Sequence, residues 1–182
     1  MEMIDIYNEA GVKTGETVEK YETHREGLIH RAVCVWIVNS RNEVLMQTRS
    51  DHVLSPGKMD ISFSGHIQAG ETSLEAAVRE GYEELGISID ISRLRYLFSC
   101  RVYAGTDEYT ENEIDDVYLY KADIPLDDCR FYDNEVKAVS YVPLEKLKAM
   151  VEMQADVLVP SEIHYRFFLT TMDSRLIKRD NG

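Results

Sequence analysis

From Gly65 to Ile87 the chain runs GHIQAGETSLEAAVREGYEELGI, and Glu80, Glu83 and Glu84 stand at positions i, i+3 and i+4 within it. On a helix that spacing puts three carboxylates on one face within about a turn. Like charges so placed repel by a few tenths of a kcal/mol per pair, and a cation bound between them turns that liability into a ligand cluster. Hard divalent ions such as Mg²⁺ take oxygen ligands and favour phosphate oxygens as their remaining partners.

The segment carries its own helix signals. Leu74, Ala77, Val78, Gly81 and Leu85 form an apolar stripe opposite the glutamates. Thr72 fits an N-cap with Glu75 three residues on, and Gly86 fits the left-handed position after the last turn. A helix over about 73–85 follows. Gly81 in mid-helix costs about 1 kcal/mol relative to Ala, which implies a close approach of the helix to the sheet beneath it.

The spacing G-x5-E-x7-R-E-x2-E-E-x-G, made by Gly65, Glu71, Arg79, Glu80, Glu83, Glu84 and Gly86, resembles the Nudix box of the Nudix hydrolases. At average residue abundance a chance match at one register is on the order of 10⁻⁸, which sets the alternative of a plain solvated acidic helix aside. One position departs from the family pattern: Gly81 stands where an aliphatic residue is preferred. The resemblance implies a mixed α/β fold, an α/β/α sandwich, and hydrolysis of a nucleoside diphosphate linked to another group. It implies that Glu80, Glu83 and Glu84, with the carbonyl of Gly65, hold Mg²⁺ or Mn²⁺, and that Glu71 and Arg79 form a structural brace. Glu83 and Glu84 are the implied catalytic residues in the box, with Glu83 one candidate for the general base and a loop glutamate such as Glu113 another.

A second resemblance covers most of the chain. Lys20-Tyr21, His24, His30, Pro56-Gly57, Gly65-His66 and Glu111-Asn112-Glu113 are similar to isopentenyl-diphosphate isomerase, a Nudix-fold enzyme with an added metal site. By that resemblance His24, His30, His66, Glu111 and Glu113 coordinate a second divalent cation, and mixed imidazole and carboxylate donors suit Mn²⁺, Zn²⁺ or Fe²⁺ better than Mg²⁺. Arg49 resembles a diphosphate-binding arginine of the isomerase, and Arg31 and Lys58 flank the expected cleft. The isomerase chemistry meets four departures. Ser64 replaces the essential cysteine before Gly-His. Glu80 replaces a basic residue. Ser50 to Ser55 lacks the basic stretch before Pro-Gly, and the only tryptophan, Trp36, lies in a core strand. The reading is therefore an isomerase-like member of the hydrolase family, with isomerisation and a non-enzymatic nucleotide sensor as the competing readings. Three crowded acids serve no purpose in a pure binder.

Composition narrows the partners. With 182 residues the chain is expected to form one domain, with an N-terminal arm over about 1–29. A net charge of −13 argues against nucleic acid and against an anionic membrane surface, leaving a small-molecule diphosphate brought in by cations. Cys34, Cys100 and Cys129 have no CxxC spacing and read as reduced thiols of a cytoplasmic protein, not as a disulfide framework or a zinc cluster. MEMIDIYNEA lacks the apolar core of a signal peptide, and Ala32 to Val38 is too short to span a bilayer.

Strand and turn patterns predict a short hairpin from Asp5–Tyr7 and Val12–Thr14, then a polar, partly helical stretch to Glu26. Strands are expected at His30–Asn39, Glu43–Arg49, Met59–Gly65, Arg93–Tyr103, Ile114–Ala122 and Val136–Val142, with a polar loop over Ala104–Glu113. Helices are expected from Pro143 to about Glu152 and after Pro160-Ser161. The apolar stripe of the last helix is free to pack on the core or to form a homodimer contact. His52 and His164 have no evident partners and default to the surface.

Overall fold

Every residue of His30–Val38 except Arg31 is buried, which marks this strand as the centre of the sheet. Its side chains alternate between two cores. Val33, Val35 and Ile37 face one, and Cys34, Trp36 and Val38 face the other. The computed structural model describes residues 2–106 and 108–177. In chain order these form β1 (Met3–Tyr7), β2 (Lys13–Glu19), α1 (Lys20–Arg25), β3 (His30–Val38), β4 (Glu43–Arg49), β5 (Met59–Asp60) and β6 (Phe63–His66). There follow α2 (Ser73–Leu85), β7 (Leu94–Gly105), β8 (Thr110–Lys121), β9 (Val136–Pro143), α3 (Leu144–Glu152) and α4 (Glu162–Ile177).

The main sheet runs β5-β4-β3-β8-β7, with β6 also paired to β3 and β9 to β4. β3 and β8 are parallel over nine residue pairs, from His30↔Glu113 to Val38↔Lys121. The antiparallel β3–β4 pairing covers only Ile37↔Leu45 and Val38↔Val44, because β6 wedges in beyond it. Ser62 sits at the fork: its hydroxyl donates to the Leu45 carbonyl at 2.5 Å and accepts from the Ile37 amide at 2.7 Å. That insertion splits the single strand expected over Met59–Gly65 into β5 and β6.

Helices cover both sides. α2 closes one core with Ala76, Ala77 and Leu85 against Val33, Val35, Ile37 and Phe63. α3 and α4 close the other, where Trp36 stacks on Phe168 with ring centroids 4.1 Å apart. Burying side chains of that size stabilises the fold by roughly 1.5–3 kcal/mol each. The stripe of α4 goes inward: Tyr165, Phe168, Leu169 and Met172 are buried, and Ile163 and Phe167 stay exposed.

Two expectations need correction. The segment Ala104–Glu113 is not a long loop. β7 and β8 pair up to Gly105↔Thr110, and the Thr106 amide donating to the Tyr109 carbonyl at 2.7 Å closes a tight turn, so Glu111 and Glu113 stand on a strand. His164 is not at the surface but 4% exposed, facing Asp115. The N-terminal hairpin is longer than expected, and β2 passes directly into α1. All three cysteines are free and buried. Among the described residues no helix is long and apolar enough to cross a membrane.

Candidate active site

α2 spans Ser73–Leu85 as its caps dictate: Thr72 and Glu75 close a reciprocal capping box, and Gly86 takes φ 68° at the C-terminus. The helix is held against the loop before it by one arginine. Arg79 donates to both oxygens of Glu71 (3.1 and 2.9 Å), to the His66 carbonyl (2.8 Å), to Glu80 (2.5 Å) and to Glu83 (3.1 Å). Glu71 in turn accepts from the Gln68 amide. The pair thus ties helix to loop, as a brace would.

The three glutamates differ in surroundings. Glu83 is half-exposed. Glu80 is buried, and burial pushes its carboxyl up to about 7 in spite of Arg79. Glu84 is 2% exposed; burial, with Glu80 nearby, drives its carboxyl well above the usual range. Glu84 is still oriented, accepting from the Ser64 amide at 3.1 Å and from Gln47 Nε2 at 2.9 Å. Two buried carboxylates set side by side with a third at the rim favour a shared cation over bare ionisation.

Gly65 sits where β6 meets this ridge. A Cβ there would lie 2.1 Å from the Glu80 carboxyl carbon, so only glycine lets the backbone come this close. Because side chains alternate along a strand, Ser64 and His66 point to the other face of β6, the face that carries the histidines.

There His24 of α1, His30 of β3, His66 of β6 and Glu113 of β8 place ligand atoms within 4.8 Å of one another. His24 Nε2 is 3.0 Å from His66 Nε2. Glu113 Oε1 is 3.2 Å from His30 Nε2 and 3.3 Å from His66 Nε2. Burial, with His66 beside it, drives His24 down to about 4. Glu113 is held well below the carboxylate range: burial opposes this, and hydrogen bonds from His30 and His66 outweigh it. Glu111 stands outside this group of four. Burial and the Glu113 charge raise its carboxyl to about 7, with Arg49 opposing.

The three cations are placed differently. Arg49 bonds Asp60 at 2.7 Å and senses Glu111, on the side of the histidine cluster. Arg31 grips both oxygens of Asp116 at 2.5 Å, and since it alternates with His30 it faces the other way. Lys58 pairs with Asp156 and lines a surface pocket beside the α3–α4 connection. Sequence reasoning missed Tyr109, whose ring stacks on His24 with centroids 4.3 Å apart, and Glu2, 3.6 Å from His66 Nδ1. No sequence signal marks either. It also missed Asp115, which the period-two run Glu111, Glu113, Asp115 could have revealed.

The NUDIX domain profile matches residues 28–161. The chain is 38% identical over 169 residues to Nudix hydrolase 3 of Arabidopsis thaliana, covering 90% of this chain but only 22% of that longer protein. It is 32% identical over 162 residues to isopentenyl-diphosphate Delta-isomerase 1 of Mesocricetus auratus, covering 81% of this chain and 70% of the isomerase. A crystal structure of a Deinococcus radiodurans protein superposes with a TM-score of 0.69 at 25% identity, covering 91% of this chain and 98% of that one.

Proposed function

From the premise that this chain belongs to the Nudix family, we propose that it hydrolyses the P–O–P bridge of a nucleoside diphosphate joined to another group. Glu80, Glu83, Glu84 and the Gly65 carbonyl would hold Mg²⁺ or Mn²⁺. The observation that carries this reading is the buried Glu80–Glu84 pair at the end of β6, with Glu80 against Gly65 and Glu84 on the Ser64 amide. The donors are all oxygens, and the crowding of two desolvated carboxylates fits a hard divalent ion. Such an ion supplies charge neutralisation at the phosphate oxygens and a lowered pKa for water.

The chain's own groups do the rest. Glu83, half-exposed at the rim, would take the proton from the attacking water. The Glu71–Arg79 brace holds the His66 carbonyl, next to Gly65, and so would keep this backbone beside the ridge. Arg49, near Glu111, is the cation best set to meet the distal phosphate if Asp60 releases it. The convergent donors of His24, His30, His66 and Glu113 would take a second divalent cation of the Mn²⁺, Zn²⁺ or Fe²⁺ class.

That histidine cluster also favours a second reading, isopentenyl diphosphate isomerisation. Ser64 stands against it, since an unaided hydroxyl is a poor proton donor or base. The deciding experiment offers nucleotide sugars, dinucleoside polyphosphates, other nucleoside diphosphate derivatives and prenyl diphosphates with Mg²⁺ or Mn²⁺. Release of a nucleoside monophosphate or phosphate, abolished in Glu83→Gln protein, supports hydrolysis. Allylic isomerisation without phosphate release would replace it.

A further inference from the structure

Two residues beyond Glu113, on the same face of β8, Asp115 opens another group of metal-binding side chains that the hydrolytic reading leaves unused. Cys34 of β3, Asp115 of β8 and His164 of α4 bring one ligand atom each to within 4.8 Å of the others. All three are buried, at 4%, 3% and 4% exposure. Cys100 lies directly across from Asp115 in the β7–β8 register and is buried in the same core. Three donors from three elements therefore converge beneath α4, in a core otherwise lined by Trp36, Val117 and Phe168.

The contacts inside this group are not those of a finished hydrogen-bond network. His164 Nε2 stands 2.7 Å from Asp115 Oδ2, yet Nε2 has no hydrogen-bond partner of acceptable geometry, and Asp115 Oδ1 has none at all. Buried polar atoms are nearly always satisfied. A simple imidazolium–carboxylate pair would turn its N–H squarely onto the oxygen. Here one nitrogen, one oxygen and one sulfur lie within 4.8 Å of one another without a satisfied hydrogen-bond network, as ligands of one ion do.

We propose that Cys34, Asp115 and His164 form a structural site for a zinc-class cation that fastens α4 to the sheet. Thiolate and imidazole select borderline-soft ions, and the burial of all three donors keeps the site away from substrate. The oxygen-only ridge on α2 has the opposite preference, so the two sites sort different metals.

The test uses the full-length protein, purified without chelator and loaded with Co²⁺. The expected result is a sulfur-to-cobalt charge-transfer band in the near ultraviolet. The band should be lost in Cys34→Ser and His164→Ala proteins and kept in Glu83→Gln and in the double variant His30→Ala, Glu113→Gln, which disables the histidine cluster. Zinc content by mass spectrometry should fall in parallel. If a core variant misfolds by circular dichroism, the wild-type spectrum decides, since no other proposed site contains sulfur. A wild-type cobalt protein without the band, or unchanged zinc content in folded Cys34→Ser protein, overturns the proposal and leaves a buried His–Asp pair.

Discussion

The α-carbon of Gly65 rests on the carboxylate of Glu80: a methyl group there would meet its carbon and Oε1 at 2.1 Å each. The obstacle is the tip of a flexible side chain, so the collision is relieved by swinging the carboxylate aside. Gly65→Ala is therefore expected to change the melting temperature by only a few degrees while lowering turnover and Mg²⁺ or Mn²⁺ affinity at least about tenfold. Calorimetric unfolding beside a metal titration separates the two effects. Equal losses of stability and activity would show that Glu80 cannot move.

Glu84 is buried, raised well above its ordinary range, and held by Ser64 and Gln47. Replacing it by Gln keeps the shape and the acceptor for the Ser64 amide, while a flip of the Gln47 amide restores the other bond. Removing a buried charge should stabilise the metal-free protein by roughly 1–2 kcal/mol. The same change should cost about a hundredfold or more in kcat/KM. Denaturant unfolding in chelator, set beside steady-state kinetics, measures both. A destabilised Glu84→Gln protein contradicts the argument.

Glu80 gives a pH dependence with a definite sign. Its folded carboxyl, pushed by burial to about 7, lies above the ordinary glutamate value of 4.5. Between those values the folded chain keeps a proton that the unfolded chain has lost, so stability falls as pH rises through that window. The metal-free protein should lose about 1–3 kcal/mol between pH 5 and 7 through this group. The loss should be smaller in Glu80→Gln protein and reversed by saturating Mg²⁺, which favours the ionised form. Thermal melts at stepped pH, with and without Mg²⁺, read this directly. Identical slopes for wild type and Glu80→Gln would refute it.

What was legible in the sequence were features written locally. The capping box at Thr72, the left-handed Gly86 and the glutamate spacing all lie within one helix length, and the structure reproduces each. The histidine set came through resemblance, and the fold brings four of its five members together. Long-range geometry was not legible. Nothing near His164 announces that α4 will lay it on Asp115, 49 positions earlier. Asp116 engages Arg31 only because β3 and β8 pair in parallel, so Arg31 could not be separated from Arg49 by sequence alone. Ser62 splits the alternating run Met59–Gly65 through two hydrogen bonds to other strands, which its period of two does not encode.

Gly81 ties the helix to the sheet in a way that a double-mutant cycle can measure. A Cβ at this position would lie 2.7 Å from Ile89 Cγ1 and 3.3 Å from Phe63 Cζ, both in the core under α2. Gly81→Ala gains about 1 kcal/mol of helix propensity but overpacks a site where such strain costs about 1–3 kcal/mol. The steric cost is set by Ile89, which is 7% exposed and, being β-branched and backed by the core, has little freedom to move aside. The single variant should therefore lose about 1 kcal/mol. Ile89→Ala alone should lose more, by opening a cavity. Combined, the new methyl occupies part of the vacated volume, and the double variant should be more stable than the sum of the two losses by about 1 kcal/mol. Denaturant midpoints of the four proteins test this, and strict additivity would show that the two residues do not meet.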